Sequence, residues 1–190
     1  MDIISDNATI KNSEALEKGV KQILLNKKNH NERKERRRQP LLSEVLTTDM
    51  IKFSDSQSLD WRQAFELSAQ PLLKTGKITH EYIEAILKNV DDNGPYMNIG
   101  PEIALAHARP NQGVNQLGMS LLKLDKDIDL VDDKHRIRLI IVLAAVDSTT
   151  HLKALSELAQ ILGSKKDVDL IMKAKNASQI ENLILEGEKQ

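Results

Sequence analysis

The run RLIIVLAAV at residues 138–146 restricts this chain more than any other stretch. It is apolar and β-branched on consecutive residues, so as a strand it presents apolar side chains to both faces and needs cover on both. It feeds directly into DSTTHLKALSELAQILG, where Ser148 or Thr149 is placed to cap a helix. Leu152, Leu155, Leu158, Ala159 and Leu162 then repeat at helical spacing. A buried strand delivering the chain into an amphipathic helix is a unit of α/β architecture. His151 falls in the first turn of that helix, at the carboxyl end of the strand. In open α/β sheets ligands gather at such ends, and unpaired helix-start amides favour an anion there.

A second histidine is framed differently. GPEIALAHARP at 100–110 places His107 among small apolar residues, with Arg109 two positions on and prolines at 101 and 110. Each proline fixes its own φ and biases the preceding residue toward extended geometry, so the segment is expected to be rigid and non-helical. Two readings fit these residues: a core histidine satisfied by backbone, or an imidazole held at a strand end with one ring nitrogen facing a cleft. His30, His80 and His135 sit among charged or polar neighbours and are assigned no role.

The rest of the chain supplies elements to pack around these two. LLSEVL at 41–46 reads as helical turns and MIKF at 50–53 as a short strand. Ser58 is the expected cap of a helix to about Thr75, with Trp61, Ala64, Phe65, Ala69, Leu72 and Leu73 inward and a break or kink at Pro71. Thr79 opens another helix with Tyr82, Ile83, Ile86, Leu87 and Val90 on its apolar face, ending at Asp91–Gly94. Trp61 and Tyr82 read as core residues rather than ligand contacts. YMNI at 96–99 and GMSLLKL at 118–124 read as strands, and DKDIDLVDDKHR between strands as a polar surface loop carrying His135. Short helices over 166–175 and 178–185 close the domain.

The N-terminal fifth reads as separate from this domain. Residues 1–28 contain one amphipathic helix capped by Asn12 or Ser13, with Leu16, Val20, Ile23 and Leu24 on a single face that needs a partner. Residues 26–40 hold seven Lys or Arg, two Glu and no apolar residue before Pro40, which makes 29–40 a solvated basic linker. A globular domain is expected over 41–187. Overall charge nearly cancels, 28 acidic against 27 basic residues, so no global field steers the molecule to nucleic acid or anionic lipid. Aromatics are too scarce, at 3%, for base-stacking platforms. The absence of cysteine excludes disulfides, thiolate catalysis and cysteine-ligated zinc. No His-Glu-x-x-His pattern or acidic cluster implies a metal, and no cofactor is expected. The longest apolar run, LIIVLAAV, falls far short of the roughly 20 residues that cross a bilayer. The polar N-terminus is unlike a signal peptide. A cytoplasmic protein without membrane insertion is expected.

Several motifs in order carry a family resemblance. Tyr82-Ile83 with Ala85-Ile86-Leu87, GPY at 94–96, IALAHARP at 103–110, GV at 113–114 and LAAVDSTTHLKAL at 143–155 resemble the EIIA domains of the bacterial phosphoenolpyruvate-dependent sugar phosphotransferase system. The resemblance is to the mannitol/fructose-type superfamily, especially its ascorbate-like and regulator-attached members, and covers roughly residues 41–187. It implies a three-layer α/β/α fold, a small mixed sheet with helices on both faces. It also implies that His107 accepts a phosphoryl group from the phosphohistidine of the carrier HPr and passes it to a cysteine of an EIIB partner. His151 matches the family's second histidine beside the phosphate. The chain departs from the family in having Glu102 where glycine is usual and Ala106 where proline precedes the active histidine.

Phosphoryl transfer has a loose transition state with charge on the equatorial oxygens, so positioning and electrostatics dominate catalysis. His151 and Arg109 are the candidate donors, with Ser148, Thr149 and the amides behind them assisting. Arg109 has a structural alternative, pairing with Glu102 or Asp147. An apolar rim of Ile103, Leu105 and Met119 is the expected partner-docking surface, and a homodimer is left open. Three functions follow: a stand-alone carrier for sugar uptake, the C-terminal regulatory domain of a transcriptional regulator or antiterminator, and a nucleic-acid adaptor acting through residues 27–38. The neutral charge balance ranks the adaptor last.

Overall fold

The computed structural model describes residues 39–55 and 59–189. The expected N-terminal helix and the basic linker up to residue 38 lie outside the described residues, as does Ser58 itself. The expected Ser58 cap is corrected: the helix begins at Trp61 and is capped by Asp60, whose carboxylate accepts the Gln63 amide at 2.9 Å while the Gln63 side chain accepts the Asp60 amide.

The chain lays down α1 (Leu42–Val45), a 3-10 turn (Thr48–Met50), β1 (Ile51–Ser54), α2 (Trp61–Lys74), α3 (His80–Asn93), β2 (Asn98–Gly100), β3 (Glu102–Ala106), β4 (Gly118–Leu130), β5 (Asp132–Ala144), α4 (Leu152–Gly163), α5 (Lys165–Lys173) and α6 (Ala177–Gly187). Five strands form one mixed sheet in the order β1-β4-β5-β3-β2. β1 runs parallel to β4, β4 antiparallel to β5, β5 parallel to β3, and β3 antiparallel to β2.

The centre of the sheet is β5, as the unbroken apolar run requires. Leu139, Ile140, Ile141 and Val142 are all fully buried although successive side chains point to opposite faces. Cover therefore comes from both sides. α2 packs on β4 and β5 and against α3, while α1, α4, α5 and α6 pack in a second group that reaches β1. This is the α/β architecture expected. Among the described residues no helix is long and apolar enough to cross a membrane.

Three other local expectations are corrected. α2 continues through Pro71 to Lys74. Proline removes one amide from the ladder, but Pro71 lies near the C-terminal end and is buried beside Leu72, so packing holds the last turn. The polar stretch DKDIDLVDDKHR is a hairpin, because β4 and β5 run on to Leu130 and Asp132. Ile128, Leu130 and Ile137 point inward and the charges between them outward, a period-2 pattern, and His135 sits on β5 against Asp132 at 2.7 Å. Val131 turns that hairpin with φ +70°, which disfavours a β-branched residue. In α4 the buried face is Ala154, Leu158 and Ile161, while Leu152 and Ala159 are exposed.

Candidate functional site

The parallel pairing of β3 and β5 decides where the two histidines go. Ala106, the last residue of β3, lies opposite Val142, so both strands deliver their carboxyl ends to one edge of the sheet. His107 follows β3 immediately. His151 follows β5 after a short loop and is the N-cap residue of α4. The sequence thus brings both histidines to the edge where open α/β sheets bind ligands.

His107 has an exposed side chain whose Nδ1 lies 3.0 Å from the Leu105 carbonyl oxygen. A carbonyl can only accept, so this contact places the ring proton on Nδ1 and leaves Nε2 bare in the neutral ring. The reading of His107 as a core histidine therefore fails on exposure. Tyr96 stands edge-on to the imidazole, with centroids 6.1 Å apart and planes at 81°. The Tyr96 hydroxyl is held by the Asn89 side chain. Around them opens a depression of about 680 Å³ lined by Asn89, Asn93, Tyr96, His107, Ala108, Arg109 and Pro110.

No acidic residue lines that depression. The nearby carboxylates at the end of α3 are already engaged: Asp91 with Arg62 at 2.9 Å, and Asp92 with Lys88 at 2.7 Å. The Arg62 guanidinium holds the Asp91 carboxyl below the usual carboxylate range. Arg109 is exposed, and among the described residues its guanidinium makes no ion pair. Its structural alternative, a pair with Glu102 or Asp147, is not formed. Only its backbone is fixed, by a 2.9 Å bond from its amide to the Gln112 side chain.

The loop carrying His107 and Arg109 is anchored on the start of α3. The Thr79 amide donates to the Gly113 carbonyl at 2.9 Å, and Ile78 bridges Val114. Gly113 has φ +104°, and a Cβ there would overlap Thr79 Oγ1 and stand 2.9 Å from the Tyr82 backbone nitrogen. Tyr82 is fully buried; its hydroxyl donates to the Leu143 carbonyl at 2.5 Å and accepts from the Ala108 amide at 3.1 Å. Burial, partly opposed by the Ala108 hydrogen bond, pushes the phenol up to about 12.

On the His151 side the expected anion donors are otherwise engaged. The Asp147 carboxylate accepts the Thr149 amide at 2.8 Å and the Thr150 amide at 2.6 Å, together with both threonine hydroxyls. These bonds, the Thr150 hydroxyl first, draw the Asp147 carboxyl down to about 2. The chain supplies its own anion to this turn, so Thr149 does not offer its amide outward. Ser148 is exposed in the same loop, and neither residue caps the helix. His151 is half-buried; its Nδ1 is sealed from solvent and has no hydrogen-bond partner. His151 does not line the depression at His107.

The expected docking rim is also corrected. Ile103 is 4% exposed and Met119 fully buried, both in the core, and Leu105 is half-buried. The exposed apolar side chains at this edge are Tyr96, Val146 and Leu152. Tyr96, Asn89 and Asn93 carried no signal as site residues, because asparagines on a helix's polar face read as solvated surface. Glu102 opens β3 at φ +61°, where the β3–β5 register shifts between Glu102 and Ile103, which explains why glycine is the expected residue there. Its side chain does not line the depression. Among the described residues no cluster of three or more His, Asp or Glu is arranged to hold a metal ion.

The family model described as "Phosphoenolpyruvate-dependent sugar phosphotransferase system, EIIA 2" matches residues 44–187. The mannitol-specific cryptic phosphotransferase enzyme IIA component of Escherichia coli (strain K12) is 32% identical over 128 residues, 67% of this chain and 87% of that protein. The ascorbate-specific EIIA component of the same strain is 29% identical over 126 residues, 65% of this chain and 82% of that protein. The solution structure of the E. coli mannitol-specific cryptic enzyme IIA superposes with a TM-score of 0.69 at 29% identity, covering 76% of this chain and 98% of that one.

Proposed function

The chain belongs to the EIIA 2 family of the phosphoenolpyruvate-dependent sugar phosphotransferase system, and on that premise we propose that it is a phosphoryl carrier using His107. The carrier domain is residues 41–187, working in the cytoplasm. The single observation that supports the assignment most is the Nδ1–Leu105 contact on an exposed ring, which leaves Nε2 as the nucleophile.

In the first step the Nε2 lone pair attacks the phosphorus of phospho-HPr. The new P–Nε2 bond forms as the P–N bond to HPr's histidine breaks, returning the electron pair to that imidazole. In the second step a cysteine thiolate of an EIIB partner attacks the same phosphorus, and the P–Nε2 pair returns to His107. Neither step creates net charge. Both pass through a spread of negative charge over three oxygens. Arg109 and the amides of Asn89 and Asn93 face that charge from the depression, and the lack of a lining carboxylate removes the chief source of repulsion.

His151 complements this arrangement by its tautomer. A proton on its buried, partnerless Nδ1 would be an unsatisfied donor, which is costlier than a bare acceptor, so the neutral ring carries its proton on Nε2. His107 then presents a bare nitrogen and His151 an N–H donor. Ser148 contributes its hydroxyl, and Thr149 contributes through Asp147 by shaping the loop.

Residues 1–43 lie outside the family match, and this favours a second reading as the regulatory domain of a larger regulator. Incubation of the chain with phosphoenolpyruvate, Enzyme I and HPr tests the carrier. An acid-labile, alkali-stable phosphate is expected on wild type, absent in His107→Ala and slower or shorter-lived in His151→Ala. Labelling that survives His107→Ala removes the proposal. Onward transfer to an EIIB cysteine separates a carrier from a domain that only senses phosphorylation.

A further inference from the structure

β3 and β5 part company at the site. Their last paired residues are Ala106 and Val142. One step beyond, the Ala108 amide and the Leu143 carbonyl would be free to continue the ladder, yet they do not bond to each other. The Tyr82 hydroxyl stands between them, accepting from Ala108 and donating to Leu143. A phenol has one proton to donate, and here it is committed to a backbone carbonyl. With its acidity pushed far toward the basic side by burial, the group keeps that proton at any working pH.

The two bonded backbone groups are not arbitrary. Ala108 is the residue after His107, and Leu143 opens the segment that leads to His151. The hydroxyl therefore ties the main chain that carries one histidine to the main chain that leads to the other. The same tyrosine's own backbone nitrogen is what a Cβ at Gly113 would strike, so the far end of the His107 loop is seated on the residue that clamps its near end.

We propose that Tyr82 is a positioning residue for phosphoryl transfer: through Ala108 it holds the His107 backbone so that Nδ1–H stays on the Leu105 carbonyl and Nε2 stays bare. This rests on the carrier reading of His107. The restraint matters because a free histidine side chain favours the opposite tautomer, with its proton on Nε2. Nδ1–H is kept only while the ring stays within reach of Leu105. The Leu105 end of that contact is already fixed, because its amide donates to the Met97 carbonyl at 2.9 Å. The Ala108 end has Tyr82 alone among the described residues. Loosening it lets the ring swing, and Nε2 becomes protonated and cannot attack.

The test is Tyr82→Phe, which keeps the buried ring and removes only the hydroxyl. On the unphosphorylated chain at alkaline pH, the 15N shifts of the His107 ring should read one dominant Nδ1–H form in wild type and a mixture in the variant. At a temperature where the variant is fully folded, kcat for phosphorylation by phospho-HPr should fall about 5-fold, in step with the loss of the Nδ1–H form, with KM unchanged. A merely structural role would move neither the tautomer nor the split between kcat and KM. Unchanged shifts, or a loss confined to KM, overturn the proposal.

Should the variant not fold, the wild-type chain decides. A slowly exchanging Tyr82 hydroxyl proton with a nuclear Overhauser effect to the Ala108 amide, and a single His107 tautomer that becomes mixed when heating first releases that proton, support the clamp. A rapidly exchanging hydroxyl, or a tautomer indifferent to its release, overturns it. The shifts need no phosphate, so a wild-type chain that takes no label defeats the carrier reading on its own account, while the shifts still decide whether Tyr82 sets the ring.

Discussion

Replacing Gly113 by alanine should unseat the His107 loop, and the structure fixes the scale of the effect. At φ +104° an L side chain is strained by roughly 1–3 kcal/mol. The new Cβ would overlap Thr79 Oγ1 and stand 2.9 Å from the Tyr82 backbone nitrogen. The threonine can rotate away, but the helix backbone cannot, so overpacking adds roughly 1–3 kcal/mol. Loss of chain freedom in the unfolded state returns about 0.4–1 kcal/mol. The net is a destabilisation of about 1–5.5 kcal/mol, centred near 3, which lowers Tm by roughly 2–20 °C for a domain of this size. Calorimetry on Gly113→Ala beside Gly163→Ala checks this. Gly163 ends α4 with nothing within 4 Å of a built Cβ and no positive φ, so its substitution should stabilise by up to about 1 kcal/mol. Because the Gly113 carbonyl holds the Thr79 amide, phosphate labelling of His107 should also slow. If Gly113→Ala unfolds within about 0.5 kcal/mol of wild type, the close approach of loop and helix is wrong.

Three further outcomes are expected. Val131→Gly relieves the left-handed, half-exposed hairpin tip and should raise stability by about 1 kcal/mol in urea unfolding; a loss would mean Val131 makes contacts that outweigh its strain. Asp147 has a folded-state value near 2 against an ordinary 3.8, so its contribution is full above the ordinary value and vanishes as pH falls through about 2. The stability gap between wild type and Asp147→Asn should therefore close as urea midpoints are followed from neutral pH down to about 2, and a gap independent of pH refutes the assignment. Arg109→Ala should cut the phosphorylation rate about 10–100-fold, with Arg109→Lys intermediate because an ammonium cannot bridge two oxygens as a fork does. Equal rates for all three chains would exclude Arg109 from the phosphate.

What could be read in advance follows the strength of local physics. The buried strand at β5 was legible because an unbroken apolar run admits no surface solution, and it carried the α/β class and the position of His151 with it. His107 at a strand end was legible from its flanking prolines, but its exposure was not, since apolar neighbours suit a core and a rim equally. The β4–β5 hairpin was hidden by its charges: Asp127, Asp129 and Asp132 suggest a loop, although Ile128, Leu130 and Ile137 keep strand period and are buried. Ser148 and Thr149 look like helix caps, yet Asp147 one step earlier takes the amides, because a carboxylate outcompetes a hydroxyl for N–H donors. Ile103 and Met119 suit a rim by their apolar character alone, and nothing local in the sequence shows that their strands lie inside the sheet, where both are buried. Tyr82 is legible as a core residue from its helical spacing, but its hydroxyl meets Ala108 and Leu143 only through the tertiary fold, across separations no local pattern reveals.

Carrier function at His107 turns on which nitrogen carries the phosphate. After labelling by phosphoenolpyruvate, Enzyme I and HPr, 31P and 15N spectra of the intact chain identify both the residue and the ring atom. One phosphohistidine is expected, at His107, bonded through Nε2. A phosphate on Nδ1, on His151, or on no histidine at all contradicts it.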